Sequence, residues 1–212
     1  MSKKDLNVIL KNSFQDFKEF SEIYNKFAKK LNTIFNKTFL IAVSGGPDSL
    51  ALAALAKAYS YKNKAKIYYV LIDHKLRKDS SVEAQRVKKL LYKHQISLKI
   101  LINKKKVEKN IQAEARNIRY SLLKNFCEKN RIKNIVTAHH LDDQVETFFI
   151  RLSRGSGLEG LSSMKQKNLL TKDIKLLRPL LENKKTELIK LSKKIFGRYY
   201  KDPSNNDRKY LR

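Results

Sequence analysis

The chain has one cysteine in 212 residues, Cys127, and that absence excludes several protein classes. A single thiol cannot build a disulfide framework, a cysteine-based zinc site or a cysteine-ligated iron–sulfur cluster. Cys127 lies among Leu122, Leu123 and Phe126 and reads as a buried helix residue. No apolar run reaches about 18 residues, which argues against a membrane-spanning helix. The N-terminus, Met1-Ser-Lys-Lys-Asp-Leu, lacks an apolar core of signal-peptide length. Acidic residues are also scarce. Asp and Glu number 20 against 47 Lys and Arg, a net charge of +27. A surplus of that size repels itself unless a polyanion is near, and nucleic acid is the obvious partner. Charge alone leaves acidic lipid and plain solubility open, because a codon-biased genome would also favour lysine over arginine. Glycine is rare too. The six glycines stand at 45, 46, 155, 157, 160 and 197, so most sit in two loops.

At 42% hydrophobic the chain can build a core, and its length suits one domain or one plus an appendage. The most informative stretch is Phe39-Leu-Ile-Ala-Val-Ser-Gly-Gly-Pro-Asp-Ser49. A β-type apolar run stops at Ser44-Gly45-Gly46-Pro47-Asp48-Ser49, and an Ala/Leu-rich helix starts at once. A strand feeding a glycine turn that opens a helix is suited to gripping phosphate. Turn and first-turn N–H groups converge there, and the helix dipole adds about half a positive charge. Gly45 and Gly46 allow the bend and the close approach. Ser44 and Ser49 offer hydroxyl donors. The Walker pattern is not met, since no Lys-Ser/Thr pair follows at the required spacing, and neither is G-x-G-x-x-G.

Apolar spacing predicts an amphipathic helix over 13–31, through Phe14, Phe17, Phe20, Tyr24, Phe27 and Leu31. Strands are predicted at 38–43, 67–72, 96–102, 132–138 and, more weakly, 174–177. Helices are predicted from the glycine turn to about 60, through Val82, Val87, Leu90 and Leu91, and at about 112–129, 142–152 and 184–196. This alternation predicts an open parallel five-stranded sheet with helices on both faces. Right-handed crossovers bring the strand ends to one edge, where such sheets bind ligands. Ser44–Ser49, Asp73-His74 and His139-His140 each follow a strand and should converge there.

Residues 138–160 form a second constellation, from Ala138-His-His-Leu-Asp-Asp-Gln-Val-Glu146 to the glycine loop Arg154-Gly155-Ser156-Gly157-Leu158-Glu159-Gly160. Asp142 and Asp143 fall in the first turn of a helix, and Glu146 shares their face. Three carboxylates beside a phosphate loop could hold Mg²⁺, bind the ammonium of an amino-acid substrate, or merely cap and solvate the helix. No third nitrogen ligand is spaced to make His139 and His140 a zinc site, and hydrogen-bonding roles in the pocket wall are preferred.

The loop resembles Ser-Gly-Gly-x-Asp-Ser, the pyrophosphate (PP) loop of the ATP pyrophosphatase superfamily. Further motifs narrow the resemblance. They are Asp73-His74-x-Leu76-Arg77, Asn110-Ile-Gln-Ala-Glu-Ala-Arg116-x-x-Arg119-Tyr120 and Ala138-His-His-x-Asp-Asp-Gln-x-Glu-Thr147. Arg154-Gly-Ser-Gly157, Leu177-Arg-Pro-Leu180 and Asp202-Pro-Ser-Asn205 complete the set. In this order, from about residue 38 onward, they resemble the tRNA(Ile)-lysidine synthetases. The related 2-thiocytidine enzymes carry paired cysteines that this chain lacks.

That resemblance implies a Rossmann-like fold of the adenine nucleotide α-hydrolase type and a carbon–nitrogen ligase of the cytoplasm. ATP would adenylate the C2 oxygen of the wobble cytidine in tRNA(Ile) with a CAU anticodon, releasing pyrophosphate. Free L-lysine would then attack C2 and expel AMP, changing codon specificity from AUG to AUA. The alternative is another PP-loop ATP pyrophosphatase, modifying tRNA or adenylating a small carboxylate. Carried over, ATP would be bound by Ser44, Gly45, Gly46, Pro47, Asp48, Ser49, Ile72 and Asp73. Catalysis would involve Asp48, Arg116, Arg119 and Glu146, with Asp48 also a candidate Mg²⁺ ligand. The arginine pair could equally be helix surface. His140, Asp143 and Glu146 would bind lysine, and Arg154, Gly155, Ser156 and Gly157 would meet tRNA. His74 and Arg77 would reach phosphate or lie on loop surface. The expected organisation is an N-terminal helix at 1–36 packed on a catalytic domain at 37–212. The C-terminal tRNA-binding domains of longer relatives are expected to be absent. No obligate protein partner is implied, and a homodimer stays open.

Overall fold

A computed structural model describes residues 18–105, 110–157 and 164–200. In chain order the elements are α1 (Lys18–Asn32), β1 (Thr38–Val43), α2 (Pro47–Asn63), β2 (Lys66–Asp73), α3 (Ser80–Lys93) and β3 (Leu98–Ile102). There follow α4 (Ile111–Lys129), β4 (Asn134–Val136), α5 (Leu141–Ser153), β5 (Lys167–Leu169), β6 (Lys175–Leu177) and α6 (Lys185–Phe196). The sheet order is β3-β2-β1-β4-β6-β5. Five strands run parallel, as the alternation predicts, and β5 adds a sixth, antiparallel to β6. The sequence gives no hint of β5. Lys-Asn-Leu carries no apolar run, and pairing with the edge of β6 makes it a strand. Phe14 and Phe17, expected in the first helix, and Asp202–Asn205 lie outside the described residues.

Alternation along β1 splits the core into two layers. Phe39, Ile41 and Val43 face one side with residues of α1, α2, α3 and α6. Leu40 faces the other with Val70, Leu123, Cys127 and Ile135, under α4. The helix α2 is apolar nearly all round, and ten of its residues between Ser49 and Tyr59 are buried. Such a helix is stable only when covered on every side. The sheet lies beneath it, while α1 and α6 close over it. Its alanines at 51, 53, 54, 56 and 58 leave room for that approach. Burial pushes the Cys127 thiol up to about 12, so it stays protonated and inert.

The topology positions the site. The connection from β1 to β2 runs to one side of β1, while α4 carries the chain across to β4 on the other. The switch point therefore lies between β1 and β4, where open α/β sheets place ligands. Ser44 leaves β1 there, and Thr137–His140 leave β4 there.

Phe27 of α1 is fully buried and meets Tyr59 edge-on at 6.1 Å between ring centroids. Phe27→Ala should therefore cost about 3–5 kcal/mol in urea denaturation. A loss below about 1 kcal/mol would show that α1 rests on the core without completing it.

Candidate active site

The turn after β1 is tight. Gly45 has φ +94, a left-handed value that favours glycine, and a Cβ there would stand 2.5 Å from Val87 Cγ2. Gly46, extended at φ −68 and ψ 162, caps α2, and Pro47 occupies the first turn. Ser49 Oγ ties this turn together. It receives the Ser44 N–H, the Gly45 N–H and the Ser44 hydroxyl, each at 3.1 Å, and donates to Gly46 O at 2.9 Å. The sequence alone suggests hydroxyls and N–H groups all facing a ligand. In the folded turn two of those N–H groups are held by Ser49. The first helical bond is Leu50 N–H to Gly46 O, 3.0 Å, so the amides of Asp48 and Ser49 precede the ladder at the positive end of α2. Tyr200 N–H reaches Gly45 O at 3.1 Å and braces the turn from the far end of the chain.

Facing this turn is the start of α5. His140, only 4% exposed, is its N-cap. His140 Nδ1 accepts the Asp143 N–H at 3.4 Å, and His140 N–H donates to Asp143 Oδ2 at 2.9 Å. That capping box calls for the tautomer with hydrogen on Nε2. Nε2 lies 3.5 Å from Asp48 Oδ2 and 3.6 Å from Asp143 Oδ2. One imidazole thus bridges α2 and α5. Asp142, the other capping candidate, stays exposed and receives Lys185 N–H at 3.4 Å. Burial raises the Asp143 pKa above the usual carboxylate range, and the charges of Asp48 and Glu146 add to that. Burial pulls His140 down, but the hydrogen bond to Asp48 and the charges of Asp143, Asp48 and Asp142 outweigh it, so its pKa is raised.

The neighbouring histidine meets the opposite field. Burial first, then the charges of Arg178, Arg116 and Arg119, push His139 down to about 3. Its Nδ1 lies 2.8 Å from Thr137 Oγ1. Arg116 stacks over Tyr120 at 5.1 Å. Arg178 is 5% exposed, donates Nη1–H to Lys165 O at 2.9 Å, and lies close enough to Tyr120 to interact with it. Consecutive residues therefore mark a boundary, with carboxylates on the His140 side and guanidiniums on the His139 side. A sheet end of that polarity can hold a cation and an anion beside one another.

Other expected residues are placed differently. Asp73 is buried, but its carboxylate is committed to its own loop. It accepts Lys75 N–H at 3.0 Å and the Ser81 hydroxyl at 2.5 Å, so its carboxylate shapes the loop at the wall of the site. Burial raises its pKa, but the bonds from Ser81 and Lys75 outweigh it, so the pKa is lowered. Ile72 packs against the α4 layer. Arg77 pairs with Glu83 at 2.7 Å. Arg154 to Gly157 stand at the far end of α5, whose 13 residues span about 20 Å. The structure does not bring that loop to the carboxylates, and Leu158 to Gly160 lie outside the described residues. Arg178, Tyr120 and Thr137 are further residues of this site to which the sequence attaches no role. The first two were visible only as parts of motifs.

Among the described residues no group of three or more His, Cys, Asp and Glu side chains could hold a metal by itself. Asp48 Oδ1, however, is buried without a hydrogen-bond partner. A lone carboxylate oxygen of that kind fits Mg²⁺ carried mainly by substrate phosphates.

These features define an open α/β domain with a glycine turn at its switch point, and the chain belongs to the PP-loop domain family, whose model matches residues 18–212. Among curated relatives, the tRNA(Ile)-lysidine synthase of Orientia tsutsugamushi (strain Boryong) is 42% identical over 178 residues, covering 84% of this chain and 40% of that protein. The tRNA(Ile)-lysidine synthase of Wolbachia pipientis wMel is 40% identical over 186 residues, covering 85% of this chain and 42% of that protein. The chain thus spans about two-fifths of the length of these relatives. Among solved structures, the U34-tRNA thiolase NcsA from Methanococcus maripaludis superposes with a TM-score of 0.72 at 20% identity, over 87% of this chain and 67% of that one. An ammonia-dependent NAD synthetase from Campylobacter jejuni reaches 0.51 at 15% identity, over 92% and 74%. These two likenesses show the fold.

Two outcomes check the geometry. Gly45→Ala must hold a left-handed residue, about 1–2 kcal/mol, and displace Val87. ATP affinity by calorimetry should fall at least about tenfold if the turn distorts, since each 1.4 kcal/mol is tenfold; unchanged affinity would remove the turn from the nucleotide site. His139, with a folded value near 3 against an ordinary 6.5, should stay neutral by proton NMR down to about pH 4. The unfolded chain binds a proton there that the native chain refuses. The stability this contributes is therefore full above pH 6.5 and is lost as pH falls toward 3. A titration midpoint near 6.5 would dissolve the guanidinium side of the site.

Proposed function

We propose that this chain carries the catalytic domain of a tRNA(Ile)-lysidine synthetase. The supporting observation is the polarity of the pocket, carboxylates beside guanidiniums at the mouth of the PP loop. The two half-reactions need that combination. A urea-like carbonyl is a poor electrophile until its oxygen is part of a leaving group. In the first half, the C2 oxygen of the wobble cytidine attacks the α-phosphorus of ATP and the bond to pyrophosphate breaks. The leaving group faces the positive end of α2, with the Asp48 and Ser49 amides. Arg116 and Arg119 offset charge gathering on the α-phosphate. Mg²⁺, held by Asp48 and the phosphates, would supply further charge neutralisation.

In the second half, the side-chain amine of free L-lysine attacks C2, the C2–O bond breaks, and AMP leaves. Only the neutral amine is a nucleophile. Asp143 and Glu146 hold the incoming ammonium and take up the proton it loses. Burial makes Asp143 a better proton acceptor than an exposed carboxylate. The partner is tRNA(Ile) with a CAU anticodon, whose unstacked loop base can be presented to an enclosed site. The basic balance of the chain, +27, suits phosphate contacts, and Arg154 to Gly157 offer one place for them. The proposed setting is the cytoplasm.

The test is direct. With ATP, Mg²⁺ and total tRNA, labelled lysine should enter RNA. Asp48→Asn and Glu146→Gln should each lower the rate by about 10²–10³, the size of a lost charge-stabilising group. Full-rate transfer by Glu146→Gln would dismiss the amine site. ATP–pyrophosphate exchange that needs no RNA would favour a different acceptor. Affinity for tRNA should fall steeply with salt, log K against log salt having a slope of about −0.7 to −0.9 per phosphate contact. A flat response would place the RNA elsewhere than on the basic surface.

A further inference from the structure

His140 is the one imidazole touching both halves of the site. At 4% exposed it has almost no surface to offer a substrate, and both ring nitrogens face groups of the protein. Nδ1 caps α5 through the Asp143 N–H, while Nε2 stands 3.5 Å from Asp48 and 3.6 Å from Asp143. Asp48 sits in the first turn of α2 and Asp143 in the first turn of α5, on elements following different strands. Two carboxylates brought together in a half-buried cleft repel one another, and without a donor between them they would turn outward to water. The Nε2 edge of His140 stands within ion-pair distance of both and offsets that repulsion.

We propose that His140 is a positioning residue, a clasp that sets the phosphate-side carboxylate of Asp48 and the amine-side carboxylate of Asp143 at a fixed separation and does not itself touch lysine. The inference rests on the lysidine-synthetase reading and deepens it. Its consequence is that the adenylating and aminolysing halves share one rigid register. The amine held by Asp143 arrives where the nucleotide gripped near Asp48 has left its activated base. Displacements of about 1 Å in such an arrangement change rates by about 10².

The two nitrogens can be separated by substitution. In His140→Asn the side-chain oxygen can still take the Asp143 N–H, because asparagine is a good N-cap, but its amide stops short of Asp48. In His140→Gln the longer amide can reach Asp48 while the cap is weakened. The expected pattern is a crossing. His140→Asn melts only slightly below the parent, the share lost with the Asp48 contact, and loses about 100-fold in kcat for lysine transfer, with the KM for ATP little changed. His140→Gln melts several degrees lower yet recovers kcat to within about tenfold of the parent. A purely structural role would make activity follow melting temperature, and that result, or full kcat in His140→Asn, overturns the proposal.

Coupling to Asp48 is read without any substrate, from the melting temperatures of His140→Asn, Asp48→Asn and the double variant. If the clasp exists, the double variant melts above the value expected from adding the two single shifts. Additive shifts overturn it. Should the parent chain transfer no lysine at all, the reaction reading fails, and this cycle still decides on the clasp.

Discussion

The parallel pairing of β1 with β4 governs everything at the site. Only three residue pairs define it, Phe39 with Asn134, Leu40 with Ile135 and Ile41 with Val136. The phosphate turn leaves one strand and the histidine pair leaves the other a few residues later. A slip of one residue would turn the core faces inside out and separate the two motifs. Asn134 resists that slip. It is 1% exposed, and its amide donates to Asn36 O at 3.0 Å and Thr38 O at 3.2 Å. A buried amide with fixed partners tolerates no neighbouring register, because the alternative leaves it unsatisfied.

With the register held, the sheet edge carries two opposed electrostatic environments within one pocket. Hydrophobic packing cannot produce that arrangement. It comes from which helix follows which strand. The helix α4 crosses beneath the sheet and brings Arg116, Arg119 and Tyr120 toward Arg178 and His139. The start of α5 brings Asp143 toward Asp48. The proposed reaction, which first moves negative charge onto a leaving phosphate and then needs a neutral amine, would benefit from both fields. Neither helix could present both without the other.

Much of this was legible before any coordinates, and the reasons are local. A strand, two glycines, a proline at the first helical turn and an Ala/Leu helix specify a phosphate-type turn within eleven residues. Asp142 and Asp143 announce an acidic first turn, and Glu146 follows at helical spacing on the same face. What escaped depends on partners distant in sequence. Ser49 looks like a ligand donor until Ser44, Gly45 and Gly46 fold around it. Asp73 ends a strand in the right place, but Lys75 and Ser81 claim its oxygens. Arg178 gains its meaning from Tyr120, about sixty positions earlier. β5 exists because β6 has an open edge, which no local pattern records.

The acids of this chain are few, and their placement is informative for that reason. With basic residues so abundant, carboxylates could be paired with lysines almost anywhere, as Glu22 is with Lys26 and Glu182 with Lys30. At the mouth of the PP loop the reverse is found. Asp48 and Asp143 face one another with a single imidazole between them, and Asp48 Oδ1 is buried without a partner. This arrangement lowers the stability of the folded chain, because repulsion and desolvation both act against it. A lysine placed nearby would relieve it and would also fill the place proposed for the incoming ammonium. A like-charge pair bridged by one imidazole, in a chain so rich in cations, is what the proposed site for a cation arriving with the substrate requires.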